Sequence, residues 1–100
     1  MMTLEEVAGF QWDEGNASKN WSGHKVSRAE AERVFLNQPL LLLVDAGHSK
    51  SEARFHALGK TSEGRLLHLS FTLREKGTLI RVISARDMHR KERRRYAQDT

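Results

Sequence analysis

The stretch LIRVISARDMHRKERRRY, Leu79 to Tyr96, changes character halfway along. Leu79 to Ala85 is apolar and rich in β-branched residues on both faces apart from Arg81 and the small Ser84, the pattern of a strand buried in the middle of a sheet. An arginine is out of place there, which makes Arg81 a first candidate for function. The second half carries Arg86, His89, Arg90, Lys91, Arg93, Arg94 and Arg95 against Asp87 and Glu92, so the strand runs straight into a strongly basic, helical segment.

Upstream of that strand the pattern is extended. Arg74 to Gly77 reads as a turn, Leu66 to Thr72 as another apolar strand, Arg54 to Leu58 as an alternating one, and Leu40 to Asp45 as an apolar run with a polar end. Strands in series with short loops predict a four-stranded antiparallel meander. Gly47, Gly59, Gly64 and Gly77 fall at the predicted breaks.

Further toward the N-terminus the signals are helical. Ser27 followed three residues on by Glu30 is a capping box, and Ala31, Val34 and Phe35 then share a face, predicting a helix from Arg28 to about Leu36 that stops before Pro39. Asp13 offers an N-cap to a shorter helix over Glu14 to Trp21, ending near Gly23. Phe10 to Trp12 suits a short extra edge strand. The predicted class is therefore α+β: two N-terminal helices, an antiparallel four-stranded sheet with that short strand as an addition, and a C-terminal helix. Residues 1–9 read as a disordered leader and 10–100 as a single domain.

Composition sets the limits. One hundred residues bury roughly 60 to 70% of their unfolded surface, enough for one modest core. The absence of cysteine excludes a disulfide framework and a thiolate metal site and fits a reducing compartment. The longest apolar run, Leu40 to Val44, is far short of the roughly 20 residues of a membrane span, and MMTLEEVAGF lacks the pattern of a secretion signal, so a cytoplasmic protein is expected. Five histidines show no ligand spacing typical of zinc, and neither a metal nor another cofactor is expected. The net charge of +4, weighted toward the C-terminus, suits an anionic partner.

Strand alternation sorts the remaining polar residues. Glu52, Arg54 and His56 share one face of their strand, and His68, Ser70 and Thr72 one face of the next. If these converge with Arg81, the sheet presents a charged concavity able to hold a phosphodiester; the competing reading is a solvated outer face with Glu52 and Arg54 as surface charges.

The order and spacing of several motifs resemble the BrnT family of bacterial toxins. These are F-Q-W-D-E at Phe10 to Glu14, G-H-K-V-S at Gly23 to Ser27, H-S-K-S-E-A-R at His48 to Arg54, G-R-L-L at Gly64 to Leu67, F-T-L-R at Phe71 to Arg74, I-R-V-I-S-A-R-D-M at Ile80 to Met88 and E-R-R-R-Y at Glu92 to Tyr96. The resemblance implies a RelE-like fold and a metal-independent endoribonuclease of a type II toxin–antitoxin system. It also implies a BrnA-like ribbon-helix-helix antitoxin, with operator DNA met only through the toxin–antitoxin complex.

Metal-free cleavage needs a base, a proton donor and cations on the phosphate. By position in the family motifs, Glu52 is the implied base, Arg54, Arg65 and Arg81 the implied cations, and His24 a proton carrier. Lys25, Arg86, Arg90, Arg93 and Arg94 complete the expected RNA contacts. The chain departs from the family at one place: Gly23 stands where the family has lysine, and Lys25 where it has glycine. Other classes stay open, a nucleic-acid-binding module without catalysis or a degenerate toxin kept as an antitoxin partner. Within the basic stretch, Arg86 has an ion-pairing alternative with Glu92, and Tyr96 reads best as docking the last helix.

Overall fold

The computed structural model describes residues 4–48 and 51–100; residues 49 and 50 of the His48 to Arg54 motif, and 1–3 of the expected leader, lie outside the described residues. The elements follow the sequence pattern closely: β1 (Gly9–Phe10), α1 (Glu14–His24), α2 (Arg28–Leu36), β2 (Leu41–Val44), a 3-10 turn at Ala46–His48, β3 (Arg54–Lys60), β4 (Leu66–Arg74), β5 (Leu79–Asp87) and α3 (Arg90–Asp99).

The strand order is β1-β5-β4-β3-β2. The meander from β2 to β5 is antiparallel, but β1 pairs with β5 in parallel, Gly9 beside Leu79 and Phe10 beside Ile80. The sheet is therefore five-stranded and mixed rather than purely antiparallel. Parallel pairing is possible because α1, α2 and three strands intervene, far more chain than a crossover requires. The N-terminal strand also lies earlier than Phe10 to Trp12. Leu4 and Val7 pack against the core, and the Ala8 N–H donates to Thr78 O at 2.7 Å, so from Leu4 onward the segment read as a leader is tied to the domain.

One face of the sheet packs on α2. Ser27 and Glu30 form the reciprocal capping box at 3.0 and 3.1 Å, which starts α2 where Ala31, Val34 and Phe35 can reach the sheet. These meet Ala57, Leu67, Leu69, Phe71, Ile80, Val82 and Ala85, with Phe35 edge-on to Phe71 at 5.0 Å. Gly59 is not a loop break: it lies within β3 and lets α2 approach the strand, since a Cβ there would be 2.7 Å from Val34 Cγ1. On the opposite face, at one end, Met88 and Tyr96 pack on Leu58, Leu41, Leu43 and Leu66. The Tyr96 hydroxyl donates to Pro39 O at 2.6 Å, so this tyrosine docks α3.

A register shift completes the frame. Ser70 pairs with Ser84 but Phe71 with Val82, so Ile83 is the extra residue of a β-bulge. Arg81 and Arg86, five residues apart, would point to opposite faces of a regular strand; the bulge puts both on the face away from α2.

Candidate active site

Cross-strand partners project to the same side of a sheet. Arg54 lies opposite Thr72 and Thr72 opposite Arg81; His56 lies opposite Ser70 and Ser70 opposite Ser84; Leu58 lies opposite His68 and His68 opposite Arg86. Arg54, His56, His68, Arg81 and Arg86 thus share the face away from α2. Two strand spacings separate the Arg54 and Arg81 backbones, roughly 10 Å. The convergence expected of Arg54, His56, His68 and Arg81 is present. Glu52 stands apart from it: it precedes β3, is exposed, and pairs with Arg74, Nε to Oε2 2.8 Å.

On this face Arg81 reaches Asp13 Oδ2 at 3.0 Å and donates to Gln11 Oε1 at 3.2 Å, both through Nη1. Asp13 also caps α1, accepting from the Asn16 N–H at 3.1 Å, and that bond together with Arg81 holds its carboxyl below the usual range. Arg86 grips Glu92 with both Nη atoms at 2.8 and 2.9 Å and donates to Asp87 O. Against the opposing effect of burial, the Arg86 bond pulls the Glu92 carboxyl down to about 2. Arg86 is therefore bound to α3, the ion-pair alternative read from its sequence neighbourhood.

Two histidines sit beside this pair. His68 is buried, and burial, helped by the Arg86 charge, pushes its imidazole down to about 4. Its Nε2 is 3.8 Å from Glu92 Oε2, too far for a hydrogen bond, and its Nδ1 has no partner among the described residues. The His56 ring lies 4.6 Å from it, with Nε2 3.0 Å from Asp45 Oδ2.

Arg65, His24 and Lys25 assemble elsewhere. Arg65 precedes β4 on the α2 side of the sheet. Its Nε and Nη2 donate to Asp87 at 2.8 and 3.2 Å, Nη1 to Glu30 at 3.1 Å, and Nη1 and Nη2 to the carbonyls of Lys25 and His24 at 2.8 and 3.1 Å. Those five bonds use all five donors of a guanidinium. The Asp87 bond raises the Arg65 pKa further above its already high range. Thr72, the register of Arg81, is roughly 20 Å along β4 from this end. Arg65 and Arg81 thus cannot meet one phosphate, as their shared role required. His24 and Lys25 are exposed and contribute backbone carbonyls to Arg65. Arg90 and Arg94 are exposed on α3, and Arg93 donates to Met88 O at 3.2 Å.

Asp45, Lys91, Glu92 and Arg95 stand around the two histidines; the sequence reading took the last three only as parts of the basic C-terminal stretch and passed over Asp45. Asp45 and His56 are eleven residues apart, and only the β2–β3 register brings them together. Among the described residues no group of three or more acidic or histidine side chains is placed to hold a metal, and no helix is long and apolar enough to cross a membrane.

A mixed sheet with α2 on one face, and with arginines, histidines and the docked α3 on the other, defines a small basic α+β protein with a cationic face. Residues 12–92 match the family described as ribonuclease toxin, BrnT, of type II toxin–antitoxin systems, and the chain belongs to that family. Among solved structures it is similar to the 1.1 Å crystal structure of the Brucella abortus ribonuclease toxin BrnT, with a TM-score of 0.61, 19% identity, and coverage of 84% of this chain and 100% of that one. At that identity the likeness is one of fold. No curated protein matches the chain.

Proposed function

We propose that this chain is a metal-independent endoribonuclease that cleaves RNA laid across the open sheet face, acts in the cytoplasm, and arrests growth until an antitoxin binds. The RelE-like grouping rests on the motif resemblance, with α2 behind a sheet whose other face is cationic. The observation that carries the reading is the pairing of Arg54 and Arg81 across Thr72. Both arginines stand on inner strands, β3 and β5, and Gln11 and Asp13 brace Arg81, a placement that suits a phosphate whose charge grows during reaction. Glu52, exposed and paired with Arg74, is a weaker base candidate than its motif implied, and Arg65 acts in folding.

End-labelled RNA incubated with the purified protein in excess chelator tests this. Internal cuts are expected, lost in Arg54→Gln; intact RNA at all protein concentrations would leave a nucleic-acid-binding or degenerate protein instead. We assign the antitoxin to a BrnA-like ribbon-helix-helix protein that covers the Arg81 to Tyr96 stretch, with operator DNA bound only by the complex. Charge complementarity supports that surface, since a partner presenting acidic groups there silences RNA binding at the same time. Hydrogen-exchange protection confined to Glu14 to Leu36 on complex formation would count against it.

A further inference from the structure

Beside the arginines, the sheet face holds a constellation that the cations do not explain. Asp45 Oδ2 accepts from His56 Nε2 at 3.0 Å; the Asp45 side chain is 10% exposed and that of His56 31%. A neutral ring bonded in this way carries its proton on Nε2 and presents Nδ1 as an acceptor. Next to it is a pocket of about 250 Å³ lined by Leu43, His56, Leu58 and His68 from the sheet and by Lys91, Glu92 and Arg95 from α3. His68 keeps a buried Nδ1 without a partner among the described residues, where a leucine would pack at no such cost. Unpaired buried polar atoms cost about 1–3 kcal/mol, and proteins rarely keep them without a use.

Resting on the ribonuclease reading above, we propose that His56, oriented by Asp45, is the catalytic base and that this pocket seats the nucleotide whose 2′-hydroxyl attacks. The 2′-oxygen bonds to the adjacent phosphorus while its proton passes to His56 Nδ1. The bond from phosphorus to the 5′-oxygen breaks, that oxygen takes a proton from water, and the products end in a 2′,3′-cyclic phosphate and a 5′-hydroxyl. Lys91 and Arg95, which line the pocket, supply cations for the phosphate charge, and Arg54 stands two residues along β3 from His56. The charge arriving on His56 is balanced by Asp45 behind it. His68, neutral and 4.6 Å away, adds no positive charge to oppose it.

Single-turnover cleavage at saturating RNA, followed across pH, tests this. His56→Gln is expected to lower the rate at saturating RNA by about 10² to 10⁴, with the acid limb of the pH profile removed. Asp45→Asn is expected to give a smaller loss. Imidazole added to His56→Ala is expected to restore cleavage, an outcome that a merely structural histidine would not give. If His56→Gln cleaves at the parental rate while Arg54→Gln does not, the base is elsewhere and the ribonuclease reading stands. If His56→Ala is slow yet imidazole restores nothing, the histidine is structural and the inference is overturned. If the parent protein cuts no RNA at any pH, both fail.

Discussion

Arg65 and Asp87 form a two-pronged ion pair, Nε to Oδ1 at 2.8 Å and Nη2 to Oδ2 at 3.2 Å, that ties the start of β4 to the end of β5. The same guanidinium holds Glu30 at the N-terminus of α2 and the carbonyls that end α1. It joins helices to sheet at one corner. Arg65→Lys, which keeps the charge and loses the fork, is expected to lower unfolding free energy by about 1–3 kcal/mol. Urea unfolding measures that loss, and single-turnover cleavage per folded molecule should stay at the parental rate. A stable but inactive Arg65→Lys would return this arginine to the active site.

Lys25 bears on the same corner. It follows the last residue of α1 with φ 55°, a left-handed conformation, and its carbonyl meets Arg65 Nη1. Glycine adopts that conformation without strain, which gives a physical reason for glycine at the matching family position. Lys25→Gly is expected to stabilise the protein by about 0.5–1 kcal/mol, read as a higher urea midpoint. Lys25→Ala removes the same charge but keeps the strained backbone, so an equal gain there would assign the effect to charge.

His68 makes stability depend on pH. Its pKa falls from the ordinary histidine range to about 4 on folding because burial disfavours the charged ring, helped by Arg86. Between about pH 6.5 and 4 the unfolded chain therefore binds a proton that the folded one refuses, and stability falls as pH falls. The loss from this group is complete below pH 4 and amounts to about 3 kcal/mol. Glu92, lowered to about 2, adds its own loss only below the usual carboxylate range. Urea titrations at stepped pH should show the slope in the parent and a flatter line in His68→Leu. An equally steep line in that variant would place the titration elsewhere.

Much of this architecture is legible in the residues, for reasons that differ by element. The apolar faces of β4 and β5 and the capping box of α2 are local patterns, and Ser27, Glu30, Leu67, Leu69 and Val82 sit where those patterns put them. Gly59 misleads because the same residue type serves turns and close approaches, and only the packing of Val34 on β3 decides between them. The parallel β1 is two residues long, too short for a periodicity. Arg81 and His56 stand out as polar intrusions in strands. Asp45 does not, because its role depends on the β2–β3 register, and Arg86 depends on the bulge at Ile83, which no alternation rule anticipates.

The last prediction separates cations that act on the reacting phosphate from those that hold RNA. Arg81 is on an inner strand and braced by Gln11 and Asp13, so its guanidinium can be held to the tolerance that transition-state stabilisation demands. Arg90 and Arg94 are exposed on α3, where long side chains can follow a phosphate backbone without fixing it. Arg81→Lys is therefore expected to lose nearly all cleavage at saturating RNA, because a point charge replaces a planar fork. Neutralising Arg90 and Arg94 together should weaken binding of all RNAs alike and reduce the slope of log affinity against log salt by about 0.7 for each phosphate no longer neutralised, with the saturated rate retained. Asp13→Asn is the control for the brace: if it abolishes cleavage as completely as Arg81→Lys, then Arg81 acts by holding the entrance to α1 rather than by meeting phosphate. If instead the α3 variant loses the saturated rate, Arg90 and Arg94 act on the reacting phosphate itself and not only on the bound strand.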